Sequence, residues 1–175
     1  RSNLSNVLFA MRHLGGMTKA QKIEQATELL AAVGLGDFVR FYPWQLSGGM
    51  QQRVAIARSL ASQSELLFLD EPLAAVDAQT RAEMQDLIRQ LAVKFNQTCV
   101  LVTHDIDEAI YMADRVLVLA PRPTSVRCEI LTALGPVRDQ LSTREDPRFL
   151  AVRHEVMALI RGSKRAAPSA AQNVG

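Results

Sequence analysis

The sequence predicts an α/β fold: a parallel sheet with flanking helices, preceded by a helical subdomain. Three observations carry this expectation. Short apolar runs at 66–69, 99–102 and 116–119 have the length of buried parallel strands. The stretches between them repeat apolar residues at helical spacing. Strand, helix, strand, helix, strand in alternation places parallel strands side by side with helices on their faces.

In chain order, Thr18 with Gln21 three residues on is a capping box. Ala20, Ile23, Ala26, Leu30 and Val33 then recur on one helical face, and Gly34 supplies a stop. A loop through Tyr42-Pro43-Trp44 leads to Ser47, a candidate N-cap for a helix with Val54, Ala57 and Leu60 on one face. Leu66-Leu67-Phe68-Leu69 is the first strand, closed by Asp70 and Pro72. Asp77 can cap a long helix whose inner stripe is Met84, Leu87, Ile88, Leu91 and Phe95. Cys99-Val100-Leu101-Val102 is the second strand, Asp105 and Glu108 open a short helix, and Val116-Leu117-Val118-Leu119 is the third strand. Pro121, Pro123 and Pro136 mark an irregular segment. Asp146-Pro147 opens a last helix with Phe149, Val152, Val156, Leu159 and Ile160 as its stripe and Gly162 as its end. The Ala-, Ser- and Lys-rich stretch 163–175 reads as a disordered tail.

The 175 residues fit one ordinary domain, or two small subdomains that share a core. A formal charge of +2 gives no argument for a nucleic-acid partner. The apolar runs at 66–69 and 116–120 are too short to span a bilayer, so membrane association is expected through a partner. Cys99 and Cys128 form no disulfide framework and no metal spacing, as expected of reduced cysteines in a cytoplasmic protein. No signal peptide opens the chain. Its first residue is Arg1 and not Met, so the true N-terminus is expected upstream.

Leu46-Ser47-Gly48-Gly49-Met50 places two glycines beside a serine at a helix start, where backbone amides can approach an anion. Asp70 follows a buried strand at the end where open α/β sheets bind ligands, and it can hold Mg²⁺ through water. Glu71 can orient or deprotonate an attacking water. His104, directly after the second strand, can donate to a phosphate. Each feature alone has an ordinary structural explanation: a capped helix, two acids in a solvated loop, a loop histidine. Their order and spacing together point to function.

At these residues the chain resembles the nucleotide-binding subunit of an ABC transporter. Residues 46–50, continuing through Arg58, resemble the signature motif and the helix behind it. Residues 66–70 resemble Walker B, Glu71 the catalytic glutamate, Ala74-Ala75-Val76-Asp77 the D-loop and His104 the switch histidine. The likeness covers residues 1 to 120 and implies part of a P-loop NTPase (RecA-like) fold with an α-helical signature subdomain. It implies a dimer, with ATP between Walker A of one subunit and the signature motif of the other. Ser47, Gly48 and Gly49 would bind the γ-phosphate of the partner's ATP. Asp70 would serve Mg²⁺, and Glu71 and His104 catalysis, at the chain's own site, with Asp77 crossing the interface to couple both. Implied partners are a second ATPase subunit, transmembrane permease subunits and, indirectly, a solute-binding protein, at the cytoplasmic face of the inner membrane.

The implied division is 1–60 as helical subdomain, 61–132 as the C-terminal half of the ATPase core, 133–162 as a helical extension and 163–175 as tail. Met50 stands where many members carry Gln, and Ala74 where a small polar residue or glycine is commoner. No Gly-x-x-x-x-Gly-Lys-Ser/Thr occurs; Gly162-Ser163-Lys164 lacks the earlier glycine. Arg1 to Val7 resembles the stretch just after the Q-loop, so Walker A is expected upstream and this chain alone is expected not to hydrolyse ATP. Pro121-Arg122-Pro123 and the helix from Pro147 resemble importers of nitrate, sulfonate, taurine or similar oxyanions. Two alternatives are a non-transport ABC ATPase of the DNA-repair or translation type, and a regulatory fragment without catalysis. Against the first, there is no long coiled-coil insertion and no basic stripe. Residues 7–33 are the candidate surface for permease docking, although their apolar face suits internal packing better.

Overall fold

The computed structural model describes residues 1–74, 76–121 and 123–165. The chain divides into two compact units, Arg1–Val102 and a second from Thr103 onward.

The first unit begins with α1 (Asn3–Ala10), which no sequence signal set apart. Ser2 caps it, accepting from Ser5 N at 3.3 Å. Leu4, Val7, Leu8 and Met11 do hold helical spacing, but over two turns only, and Val7 and Met11 are fully buried. α2 (Lys19–Ala32) starts at the expected Thr18/Gln21 capping box. It ends where Gly34 takes φ +75° while Gly34 N donates to Ala31 O and Leu35 N to Leu30 O, a Schellman closure. The buried stripe of α2 is Ala26, Leu29 and Leu30, continued by Val33. Ala20 and Ile23 are exposed, because α2 buries no residue before Ala26. α3 (Gly48–Leu60) buries Val54, Ile56, Ala57 and Leu60, and α1 and α2 pack on it and on each other.

The unit closes with β1 (Leu66–Asp70), α4 (Ala78–Lys94) and β2 (Thr98–Val102). The strands pair in parallel, Leu66 opposite Thr98 and Asp70 opposite Val102, with α4 as the crossover. α4 buries Met84, Gln85, Ile88 and Leu91, while Phe95 is exposed. Expected as strands buried on both faces, β1 and β2 are covered on one. Leu67 and Leu69 are buried, whereas Phe68 is 69% and Val102 54% exposed.

In the second unit α5 (Ile106–Met112) is followed by β3 (Arg115–Leu119), β4 (Val126–Leu131), α6 (Ser142–Glu145) and α7 (Pro147–Arg165). Residues 116–119 were expected as a third parallel strand. Instead β3 pairs antiparallel with β4, Val116 opposite Ile130, with an irregularity between Val118 and Leu119. Ala120 N donates to Ser125 O at 2.8 Å, so the proline-rich stretch is a hairpin connection. Arg122 of that stretch lies outside the described residues. β4 was not expected, although Arg127 and Glu129 alternate with the inward Cys128 and Ile130.

Ile110, Tyr111, Val116, Val118, Ile130, Leu134, Phe149, Val152 and Val156 form one core. Residues on both sides of position 132 therefore pack together. Ile160 is 37% exposed and stands outside that core. α7 continues through Gly162, which keeps a negative φ and does not end the helix. An interior glycine costs a helix only about 1 kcal/mol relative to alanine, so it need not be a stop. Residues 166–175 of the expected disordered tail lie outside the described residues. Among the described residues no helix is long and apolar enough to cross a membrane.

Candidate functional site

The start of α3 is built from the loop that precedes it. Leu46 is buried, and Gln51 Nε2 donates back to Pro43 O at 3.0 Å and Leu46 O at 3.2 Å. These bonds fix the entry angle of the chain. Tyr42 and Trp44 stack with ring centroids 4.4 Å apart in the same loop. Ser47 caps α3, accepting from Met50 N at 3.3 Å, and is itself exposed. A Cβ at Gly48 would meet nothing within 4 Å among the described residues, so there is open space beside the first residue of the helix.

Gly49 is different. A Cβ there would lie 2.9 Å from Thr80 Cγ2, at the start of α4. The two glycines grouped by the sequence thus have separate surroundings: Gly48 opens the helix end, and Gly49 lets α3 approach α4. Two further links join α3 to residues beyond β1. Gln52 Nε2 donates to Pro72 O, and Arg53 Nη2 meets Glu83 Oε2 at 3.0 Å while Nη1 donates to Val33 O at 3.3 Å. The sequence did not single out Gln52 or Thr80. Neither stands in a pattern that chemistry requires, and only the packing shows what they touch.

Asp70 ends β1 and is exposed, opposite Val102 of β2. The next residue, Glu71, is half-buried and has φ +45°, in the left-handed region. For an L-residue other than Gly, Asn or Asp this costs about 1–2 kcal/mol. It is held there because Glu71 N donates to Val102 O at 2.9 Å, and Ala74 N turns back onto Glu71 O at 3.3 Å. Buried Pro72 and Leu73 anchor the turn. Gln63, Asn96 and Ala133 take the same left-handed region, and no residue pattern announced it at Glu71.

Asp77 is exposed and caps α4, its Oδ1 accepting from Thr80 N at 3.0 Å. Hydrogen bonds from the Thr80 amide and hydroxyl hold its carboxyl below the ordinary value. Ala75, in the expected D-loop, lies outside the described residues. The first unit therefore brings the start of α3 against the start of α4, and ties α3 to the turn that carries Glu71.

His104 belongs to the second unit and is exposed. It sits in a three-residue link between β2 and α5, where Asp105 N donates to Thr103 Oγ1 at 3.1 Å. Asp105 in turn caps α5, accepting from Glu108 N at 3.1 Å. Glu108, expected to complete a capping box, is 4% exposed and its Oε1 has no hydrogen-bond partner among the described residues. His104 also lines a cleft of about 250 Å³ with Asp105, Ile106, Asp107, Arg153 and Met157. No group of three or more His, Cys, Asp or Glu side chains is placed to enclose a metal among the described residues.

Comparison with known proteins adds to this geometry. Residues 2–74 match the ABC transporter family. The chain is 40% identical over 167 residues to the taurine import ATP-binding protein TauB of Yersinia pestis, covering 91% of this chain and 64% of that protein. It is 47% identical over 131 residues to the aliphatic sulfonates import ATP-binding protein SsuB 2 of Pseudomonas syringae, covering 75% and 55%. Among solved structures it is similar to the dimeric, post-hydrolysis ATP-binding cassette MJ0796 bound to ADP and Pi. There the TM-score is 0.61 at 33% identity, over 74% of this chain and 56% of the other. The chain thus spans between 55% and 64% of the length of these proteins.

Proposed function

We propose, for a chain that belongs to the ABC transporter ATP-binding family, that the complete protein is the ATP-hydrolysing subunit of an importer. Its solute is a small oxyanion such as nitrate, sulfonate or taurine. The observation that carries the ATPase reading is the tip of β1, where Asp70 is exposed and the next residue, Glu71, is held at φ +45°. The family assigns catalysis to an acid at this position, and the fold keeps that acid in a conformation it would not adopt unaided.

The residues present suit Mg²⁺ and ATP. Open space beside Gly48 at the start of α3 leaves room for a phosphate oxygen to approach the helix N-terminus. Asp70 offers one exposed carboxylate, and Mg²⁺ binds through one or two carboxylates when phosphates and water complete its shell. Bound ATP and Mg²⁺ supply a transferable phosphoryl group and the charge that offsets its oxygens. In this reading Asp70 holds the metal, Glu71 orients the attacking water, and His104 donates to the phosphate. Ser47, Gly48 and Gly49 serve the nucleotide of a second ATPase subunit, and Asp77 couples the two sites. Residues 1–60 act as the helical subdomain, 61–132 as part of the ATPase core and 133–162 as a C-terminal extension.

The remaining partners are permease subunits and, through them, a solute-binding protein, with the ATPase at the cytoplasmic face of the inner membrane. An ATPase subunit does not touch the solute, so the choice of oxyanion rests on the relatives named for taurine and sulfonate import. Without a Walker A loop the 175-residue chain by itself is inactive. The test is Glu71→Gln in the complete protein with its permease. ATP binding is retained, and turnover falls by roughly 10²–10⁴-fold. Turnover at the unsubstituted rate removes Glu71 from this role.

A further inference from the structure

Beside the candidate switch histidine, two cations from the C-terminal helices converge on one carboxylate. Asp107 lies in the first turn of α5, three residues after His104. Arg153 of α7 places Nε 2.9 Å from its Oδ1, and Arg144 of α6 places Nη1 4.0 Å from its Oδ2. The Arg144 guanidinium also lies over the ring of Tyr111, 5.1 Å from its centroid, at the other end of α5. Beneath these polar contacts, Ile110 and Tyr111 share a core with Phe149, Val152 and Val156 of α7. α5 is therefore gripped by α7 along its length and pinned by Arg153 at its start.

The start of α5 is also what places His104. Only Thr103, His104 and Asp105 separate β2 from α5. Thr103 Oγ1 accepts from Asp105 N, and Asp105 caps the helix, so the backbone on both sides of His104 is tied to the first turn. His104 and Arg153 line the same cleft. We infer that Arg153 is a positioning residue for His104: it acts through Asp107 to set where the start of α5, and with it the imidazole, stands. This gives the C-terminal extension a part in turnover, and it rests on the reading of His104 as the donor to the phosphate.

An ion pair with both side chains partly exposed contributes little to folding, because water and salt screen it. Its effect on reacting geometry can be larger, since sub-ångström displacements of a catalytic group are amplified in rate. In the complete protein, Arg153→Ala is expected to lower kcat by roughly three- to tenfold with the KM for ATP within twofold. Arg153→Lys, which keeps the charge, recovers part of the loss. The exchange Asp107→Arg with Arg153→Asp recovers more than either single change.

His104→Ala is measured alongside. If it abolishes turnover while Arg153→Ala retains the unsubstituted kcat, the positioning proposal is overturned and the reading of His104 stands. If His104→Ala leaves turnover intact, the reading of His104 fails and the proposal falls with it. If Arg153→Ala lowers kcat and thermal stability together and Arg153→Lys recovers neither, Arg153 is a structural support and the proposal is likewise overturned.

Discussion

Gly49 separates two explanations of the same residue, and a substitution there can tell them apart. In Gly49→Ala the new methyl lies 2.9 Å from Thr80 Cγ2. Carbon atoms in good contact sit about 3.5–4.0 Å apart, so one of them must give by about half an ångström or more. Thr80 does not turn away freely, because its hydroxyl and amide both bond the Asp77 carboxylate that caps α4. Overpacking of this kind costs about 1–3 kcal/mol, and alanine's better helix propensity returns at most about 1 kcal/mol. The expected net loss is about 1–2 kcal/mol, read from urea unfolding of the complete protein. Adding Thr80→Ser removes Cγ2 and keeps the hydroxyl, so the double variant should regain stability to within about 0.5 kcal/mol. Full stability in Gly49→Ala alone, or no recovery in the double variant, refutes the packing argument. ATP turnover then divides the roles. If Gly49 serves only the packing, activity returns with stability; if its missing side chain also admits a phosphate, the double variant is stable and slow.

Three other outcomes are expected. The side chain of Arg138 is 1% exposed and donates to Tyr111 O at 2.7 Å, Ala113 O at 2.8 Å and Asp114 Oδ1 at 2.5 Å, closing the end of α5. Arg138→Ala should cost about 3–5 kcal/mol in urea unfolding, and Arg138→Lys should not restore it, because an ammonium lacks the planar fork. The Asp77 carboxyl is lowered from 3.8 by its bonds to Thr80, so its contribution is fully present above that value and is lost as pH falls through the lower, folded-state value. Acid unfolding followed by circular dichroism should be less steep there in Asp77→Asn than in the unsubstituted chain. Finally, Glu71→Gly relieves the φ +45° backbone and should raise thermal stability by about 1 kcal/mol, even as the acid assigned to catalysis is lost. A lower melting temperature in Glu71→Gly would show that the side chain, not the strain, dominates the local energy.

Legibility in the sequence tracks the range of the forces involved. Helix starts at Thr18, Ser47, Asp77 and Asp105 were readable because a cap is chemistry between residues three apart. The strands at 66–70 and 98–102 were readable as apolar runs, but which faces would be covered was not. Coverage depends on elements distant in sequence, so Phe68 and Val102, expected inside, are exposed. Pairing direction was legible for β1 and β2, which are parallel as expected, but not for 116–119. An apolar run at 116–119 fits a parallel or an antiparallel neighbour, and only Arg127 and Glu129 alternating with Cys128 and Ile130 hinted at the hairpin partner. At the candidate site, residue types and order gave Ser47, Asp70, Glu71, Asp77 and His104. The left-handed backbone of Glu71 comes from a bond to Val102 O, 31 positions away, which no local pattern encodes.

The links around Pro72 explain why these residues need a fold and not merely a motif. Ser47 and the proposed catalytic acid Glu71 stand 24 positions apart in the chain. Gln52, on the first turns of α3, donates to the carbonyl of the residue after Glu71, while Gly49 faces Thr80 of the helix that Asp77 caps. α3 is thus tied to the Glu71 turn by a hydrogen bond and lies beside the start of α4. A methyl group at Gly49 would lie 2.9 Å from Thr80 Cγ2, so only a residue without a side chain lets the start of α3 sit this near the start of α4.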